Sequence, residues 1–387
     1  MITFHPTTGV FHLSNDALSL VLALQDDGAG HQELIMPYFG GRLDQPERVL
    51  QPIAWVPFAS FDSARQVLPY ACPTDGRGDF RPCMLRIEEE SGQIATELFY
   101  SDYRIVPGKP SLEGLPSTYV EAEDEAETLT VDLRDARTGL LVQLSYTMYR
   151  DLNAVTASCR LVHEGSRPLK LQKAASVALS LDGSYDMLHL HGGWAKERQV
   201  ERVKAGAMTR SISSVRGASG HEHNPFVALL PRDSGEQDGP CYGVNLIYSG
   251  DFEISVDENG FQGTRLLAGI HDRHFSWHLA PGESFQTPEA VLVYSDKGLN
   301  GMSQTFHDLF RSRLCRGVWR DRERPILVNN WEGTYFDFTT EKILSIAKAG
   351  RDLGVDILHA AHAASRHALH GPPAQLLRAV LRRCPGA

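Results

Sequence analysis

Leu129-Thr130-Val131-Asp132-Leu133 and Leu141-Val142-Gln143-Leu144-Ser145-Tyr146-Thr147-Met148, separated by a turn at Arg137-Thr138-Gly139, decide the fold class. Apolar and polar side chains alternate in the first segment and from Val142 onward in the second. That two-residue period belongs to strands with one face in a core. A glycine-containing turn between two such runs predicts a β-hairpin. Outward from the hairpin, the same reading predicts strands at Ala154 to Val162, Leu169 to Leu181, Phe226 to Leu230, Gly243 to Tyr248, Phe252 to Val256, Thr264 to Ala268, Phe275 to Leu279 and Ala290 to Tyr294. Asp182-Gly183, Glu258-Asn259-Gly260 and Pro281-Gly282 supply turns between them. Closely spaced strands with few helical stretches predict a mainly β, large antiparallel sandwich over residues 1–299.

The chain has 387 residues, enough for about two to three domains. With 42% apolar and 22% charged residues it can fill a sizeable core and is not expected to be disordered as a whole. The net charge of −10 and the lack of a Lys/Arg stripe argue against nucleic acid as a partner. The acidic stretch from Glu121 to Glu127 reads as a solvated loop or strand edge. The opening MITFHPTTGVFHL has no basic and then apolar pattern, so no secretory signal is expected. No run of about 18 apolar residues occurs, so no membrane span is expected either. Cys72, Cys83, Cys159, Cys241, Cys315 and Cys384 show no CxxC spacing and read as reduced thiols of a cytoplasmic protein.

The pattern changes near residue 300. Met302, Phe306, Leu309, Phe310 and Leu314 fall at helical spacing, which predicts an amphipathic helix over Asn300 to Leu314. With the charged stretch Arg320-Asp321-Arg322-Glu323-Arg324-Pro325 it reads as a linker helix and connector, residues 300–324. Ile326-Leu327-Val328-Asn329-Asn330-Trp331 lacks alternation and predicts a strand buried on both faces. Thr340 is the expected cap of a helix with Ile343, Ile346, Ala347 and Leu353 on one face, and Gly354 its expected terminator. Val355-Asp356-Ile357 then begins a second strand, so residues 325–357 open an α/β unit. The remaining tail, 358–387, has no Asp or Glu, four His and four Arg, and is expected to be disordered or helical.

Arg324-Pro325-Ile326-Leu327-Val328-Asn329-Asn330-Trp331-Glu332-Gly333-Thr334-Tyr335-Phe336-Asp337-Phe338 resembles the first barrel strand and loop of glycoside hydrolase family 36 α-galactosidases. Gly114 to Glu121, Gly192-Gly193-Trp194-Ala195-Lys196-Glu197-Arg198, Arg216-Gly217-Ala218-Ser219, Asn224-Pro225-Phe226, Gly282 to Glu289 and Tyr294 to Gln304 are similar to the same family, in order along the chain. The resemblance covers roughly residues 1–357. It implies an N-terminal β-supersandwich followed by a (β/α)₈ barrel, of which this chain carries the first strand–helix unit, so that the barrel is incomplete. It also implies retaining hydrolysis of terminal α-galactosides without a cofactor. One carboxylate attacks the anomeric carbon and a second, about 5 Å away, acts as acid and then base.

In the family both catalytic carboxylates are Asp on late barrel strands, and an Asp-Asp-Gly-Trp segment after the second strand holds galactose hydroxyls. Here Leu358-His359-Ala360-Ala361-His362 stands in that segment's place. No catalytic residue is therefore assigned, the chain is expected to be inactive alone, and galactoside binding is expected to be weak or absent. The alternative is a non-catalytic β module for carbohydrate contact or oligomer assembly, and a homo-oligomer stays open. Trp331 matches a substrate-contacting Trp of the family, whose indole can pack on a sugar face and donate a hydrogen bond. A core Trp is the other reading. Trp194 matches a position on a sandwich loop that can approach an active site, or else anchors that loop.

Some relatives lend an N-terminal Asp to a neighbouring subunit's site. Asp44 is the nearby acid, in a Gly41-Arg42-Leu43-Asp44-Gln45 text that departs from the family's. Asp79-Phe80-Arg81 also fits the family and reads as a structural ion pair. No metal site is assigned: His359, His362, His367 and His370 lack a frame of Cys or carboxylate ligands, and His221-Glu222-His223 reads as an incidental loop pair. No nucleophile elbow, phosphate loop or dinucleotide fingerprint occurs. The stretch beyond about residue 335 is expected to be the least stable, for want of the partners that a closed barrel supplies.

Overall fold

The hairpin that the alternation predicts lies inside the largest sheet of the computed structural model, which describes residues 1–50, 64–204, 206–260 and 263–359. Leu129, Val131 and Leu133 stand opposite Tyr146, Leu144 and Val142, and all six are buried. Each fully buried Leu or Val contributes about 1.5–3 kcal/mol relative to an exposed one. Gly139 closes the turn at φ 71°, a conformation that costs glycine little.

The strands in chain order are β1 (Ile2–His5), β2 (Val10–Ser14), β3 (Leu18–Asp26), β4 (Gln32–Gly41), β5 (Leu85–Glu89), β6 (Phe99–Pro107), β7 (Ala126–Asp135), β8 (Leu140–Tyr149), β9 (Ala154–His163), β10 (Leu169–Asp182) and β11 (Asp186–Gly193). They continue as β12 (Lys196–Lys204), β13 (Thr209–Ser214), β14 (His223–Leu230), β15 (Cys241–Ile247), β16 (Phe252–Glu258), β17 (Gly263–Ile270), β18 (Trp277–Leu279), β19 (Ser284–Gln286) and β20 (Glu289–Ser295). A helix α1 (Gly298–Arg313) follows. The last elements are β21 (Leu327–Asn329), the short helix α2 (Trp331–Thr334), α3 (Thr340–Asp352) and β22 (Ile357–His359).

Among the described residues, β1 to β4 form a sheet in sequence order. A second sheet runs β13-β16-β17-β10-β18, with β5 also on β10. The largest runs β12-β11-β14-β15-β20-β9-β8-β7-β6, with β19 on β9. All of these pairings are antiparallel. One apolar core joins all three: Phe11 and Leu20, Leu171 and Ile254, and Leu144 and Leu292 belong to the same cluster. This is the mainly β supersandwich expected from the sequence.

The chain divides into a unit of residues 1–315 and a unit of residues 316–387. The helix read as the head of a connector thus belongs to the sandwich unit. Met302, Phe306 and Leu309 of α1 are buried with Leu230, Val291 and Val293 on the outer face of the large sheet. Glycine at 243 allows this approach, since a Cβ there would lie 2.5 Å from the Phe306 ring. The acidic stretch has a role in the same packing: Glu125 takes Arg313 bidentately at 2.8 and 2.9 Å at the helix end.

In the second unit, β21 and β22 pair in parallel, with Leu327, Val328 and Asn329 opposite Ile357, Leu358 and His359. Together with α3 they form a strand–helix–strand unit, as expected. Its details differ from the sequence reading. Thr339, not Thr340, caps α3, accepting from the Lys342 amide at 3.3 Å. The second strand starts two residues late, because Asp356 turns its carboxylate to the Ile326 amide at 2.9 Å. Nor is β21 buried on both faces: Ile326 and Leu327 are 61% and 55% exposed. Ile343, Ala347 and Leu358, with Val328 and Ile346 against them, form a small separate core. Leu358 and His359, read as the start of the tail, are strand residues. The rest of that tail, 360–387, lies outside the described residues.

Candidate functional site

The C-terminal ends of parallel strands are where a barrel of this class builds its site. At that end of β21, three polar or aromatic residues follow one another. Asn330 is almost fully buried and bonds both forward and across: its Nδ2 donates to Thr334 Oγ1 at 2.8 Å, and its amide to His359 O at 3.4 Å. Thr334 Oγ1 in turn donates to Asn330 O at 3.0 Å. The Trp331 amide donates to Asn329 Oδ1 at 3.0 Å, which turns the chain out of the strand into α2. Sequence reading singled out Trp331 and missed Asn330. A polar residue at the end of an apolar run was the only available sign.

Trp331 is half-buried and sits among aromatic edges. Its ring centroid is 5.4 Å from that of Tyr335 and 4.9 Å from that of Phe336, both near perpendicular. Edge-to-face pairs of this kind fix a ring plane. Tyr335 adopts φ 45°, an uncommon conformation for a side-chain-bearing residue, while its amide donates to Trp331 O at 2.7 Å. On the neighbouring strand, His359 stands opposite Asn329. The position at the end of β22 therefore offers an imidazole where the family resemblance implies the approach to an acidic pair.

Trp194 belongs to the other unit, in the turn between β11 and β12. It is 87% exposed, so it is no anchor of its own loop. The turn is tight. A Cβ at Gly192 would lie 2.3 Å from Lys196 O, and Ala195 and Arg198 adopt φ 61° and 56°. The Ala195 amide donates to Glu197 Oε1 at 3.0 Å. Backbone amides of Glu197 itself and of Ala195 hold that carboxyl below its usual range. The hairpin thus projects a bare indole into solvent.

Asp79 is part of a buried ion cluster, as its sequence predicts. It takes Arg81 Nε at 2.8 Å and Arg265 Nη2 at 2.6 Å. Burial pushes its carboxyl up, but hydrogen bonds from Arg81 and the charge of Arg265 outweigh that and hold it below the ordinary value. Asp44 is exposed, with Arg42 Nε at 3.8 Å. Elsewhere in this unit, Glu253, His271 and Asp272 bring ligand atoms within 4.8 Å of one another. Two of the three already have partners: Arg273 N donates to His271 Nδ1 at 3.0 Å, and Lys173 Nζ lies 3.7 Å from Asp272. Of the histidines and cysteine weighed in the tail, only His359 lies among the described residues. No helix among the described residues is long and apolar enough to cross a membrane.

Comparison with known proteins gives the family. The model described as the glycosyl hydrolase family 36 N-terminal domain matches residues 32–280, and the one described as melibiase matches residues 284–361. Alpha-galactosidase AgaA of Geobacillus stearothermophilus is 42% identical over 363 residues, 92% of this chain and 50% of that protein. Alpha-galactosidase Mel36A of Lactobacillus acidophilus is 38% identical over 366 residues, again 92% and 50%. The crystal structure of GH36 alpha-galactosidase AgaB from Geobacillus stearothermophilus superposes with a TM-score of 0.85 at 43% identity, covering 93% of this chain and 50% of that one. The alpha-galactosidase from Lactobacillus brevis gives a TM-score of 0.87 at 32% identity, covering 92% and 49%. The chain spans about half the length of the curated relatives it matches. On the match over residues 32–280, together with the sandwich and strand–helix–strand unit described above, the chain belongs to glycosyl hydrolase family 36, among relatives that are α-galactosidases.

Proposed function

We propose that this polypeptide is an α-galactosidase-family protein that keeps the aromatic edge of the site and does not hydrolyse α-galactosides by itself. The observation that carries this is the end of β22. There His359 stands in register with Asn329, and Ala360-Ala361-His362 follows in sequence. No Asp or Glu occurs after Asp356. Retaining cleavage needs two carboxyl groups about 5 Å apart across the scissile bond. An imidazole cannot replace the acids that hold galactose hydroxyls at the end of the second strand in the family. Trp331 supplies an aromatic face on which a sugar ring can stack, and without acidic partners beside it galactose affinity is expected to be weak. The test is nitrophenol release from a nitrophenyl α-galactoside by the purified 387-residue chain. No turnover above background is expected, and saturable, galactose-inhibited turnover would overturn the reading.

The exposure of Trp194 favours a second reading, a non-catalytic module that contacts carbohydrate or a partner through the β11–β12 hairpin. Galactoside binding without turnover, lost in Trp194→Ala, would support it. A cytoplasmic location is part of the first reading. The five cysteines among the described residues are unpaired, which suits a reducing compartment.

A further inference from the structure

The face of the large sheet turned away from the core carries a regular array of hydroxyls. Pairing of β7, β8 and β9 sets Thr128, Thr147 and Thr156 in one row and Thr130, Ser145 and Ser158 in the next. Leu129, Tyr146 and Ala157 between them belong to the core, so the two-residue period turns all six hydroxyl side chains the other way. With the segment from Lys109 to Leu112, these residues line a cavity of about 160 Å³. Thr128 Oγ1 donates to Gly108 O at 2.8 Å and lies 2.9 Å from Thr147 Oγ1, and Thr130 Oγ1 lies 3.1 Å from Ser145 Oγ. The Thr156 and Ser158 hydroxyls have no partner among the described residues. The Lys109 side chain, also in the lining, is 3% exposed and pairs with Glu289, whose Oε1 already accepts from the Thr118 amide and hydroxyl at 2.8 and 2.7 Å. An ammonium carries three donors. Glu289 is the one partner of Lys109 among the described residues, and a buried donor left unmet is costly.

We propose that this cavity binds a neutral polyhydroxylated ligand the size of one sugar residue. Sugar hydroxyls donate and accept at once, and so do those of Thr156 and Ser158. Gln286 Nε2 is engaged by Cys159 O and Thr287 O, both at 3.1 Å, and Gln143 Nε2 by Asp132 Oδ1 at 3.1 Å. Both glutamines line the cavity and keep a carbonyl oxygen as acceptor. Those oxygens and Glu289 would repel an anion, while Lys109 is neutralised by Glu289 and Arg104 has Asp132 at 3.5 Å. Arg160, exposed and in the lining, donates to Ser284 Oγ at 3.2 Å and has further N–H groups for a ligand hydroxyl. Val106, Pro110 and Leu112 give C–H groups an apolar side. The volume equals the liquid share of about five waters, the scale of a monosaccharide. The lining contains no residue of the Trp194 hairpin or of the strand end that carries Trp331.

The test is saturation-transfer difference NMR with D-galactose as the probe. The protein is the full chain carrying Trp194→Ala and Trp331→Ala, so that neither indole contributes and the result is independent of the readings given to them above. Saturable binding is expected, with a dissociation constant on the order of millimolar. Adding Thr156→Val and Ser158→Ala removes two hydroxyls and should weaken binding about tenfold or more. Ser158→Ala alone, the milder change, should weaken it about threefold or more. Near-ultraviolet circular dichroism checks that the sheet packing is kept. Inorganic phosphate at equal concentration should not displace the sugar. No saturable signal at about 50 mM galactose, an affinity unchanged in both hydroxyl variants, or displacement by phosphate overturns the proposal.

Discussion

Replacing Asp79 by Ala should be among the most damaging single changes in the sandwich. Its carboxylate is 2% exposed and the guanidinium of Arg265 is 1% exposed. Oδ1 takes the Arg81 amide at 3.1 Å and Arg81 Nε at 2.8 Å, and Oδ2 takes Arg81 Nη2 at 2.9 Å and Arg265 Nη2 at 2.6 Å. Without Asp79, the Arg265 guanidinium keeps, among the described residues, only Pro82 O at 3.2 Å, and its Nε has no partner among them even now. Breaking a buried pair from one side costs about 3–5 kcal/mol. In a unit of this size each kcal/mol lowers the melting temperature by about 2 °C, so a fall of about 6–10 °C is expected. Arg265→Met should cost less, below about 2 kcal/mol, because Asp79 keeps Arg81 and the volume is retained. The assay is urea unfolding of wild type and both variants, followed by near-ultraviolet circular dichroism. The sign with pH follows from the depressed carboxyl. Its contribution is full above the ordinary aspartate value of 3.8 and is lost as pH falls through the lower folded value, so the gap between wild type and Asp79→Ala should narrow only in that acid range. A cost under about 1 kcal/mol for Asp79→Ala, or a larger cost for Arg265→Met, would refute the reasoning.

Other outcomes follow from the same packing. Phe306→Ala should destabilise the sandwich unit by about 3–5 kcal/mol, and Gly243→Ala by about 1–3 kcal/mol through collision with the same ring, both read by urea unfolding. Thr339→Ala should remove about 1 kcal/mol from α3 and speed amide exchange over residues 340–352 without changing exchange in the sandwich. In a Cys384→Ser background, a thiol reagent at neutral pH should label Cys315 quickly, because it is exposed. Cys72, Cys83, Cys159 and Cys241 should react only on unfolding: they are buried, and burial pushes Cys83 to about 11 and Cys159 and Cys241 to about 12.

The sandwich was legible where one strand face meets the core and the other does not. The β7–β8 hairpin is such a case, and β9 and β10 end within a residue of their expected limits. Alternation fails where burial is two-sided or absent. From Leu18 to Ala23, β3 is buried residue by residue, so it shows a run instead of a period. Strand β12, Lys-Glu-Arg-Gln-Val-Glu-Arg-Val-Lys, is exposed nearly throughout and carries the charges that protect an edge strand. The alternation rule places no strand there for that reason. The site was legible only through resemblance. The sequence puts Trp331 at the end of β21, but the buried Asn330 beside it shows in the sequence only as a polar residue ending an apolar run. Thr156 and Ser158 join Thr147 and Ser145 in one array only once β8 and β9 are known to pair at that register.

The claim that this polypeptide holds no working nucleophile is tested most directly by trapping one. Retaining hydrolysis passes through a covalent glycosyl-enzyme, and an activated 2-deoxy-2-fluoro-α-galactoside makes that species long-lived. Intact-mass measurement after incubation with such a reagent does not depend on trace contaminating activity. The account predicts no mass gain for the 387-residue chain. Stoichiometric addition of one fluorogalactosyl group, suppressed by excess galactose, would contradict it.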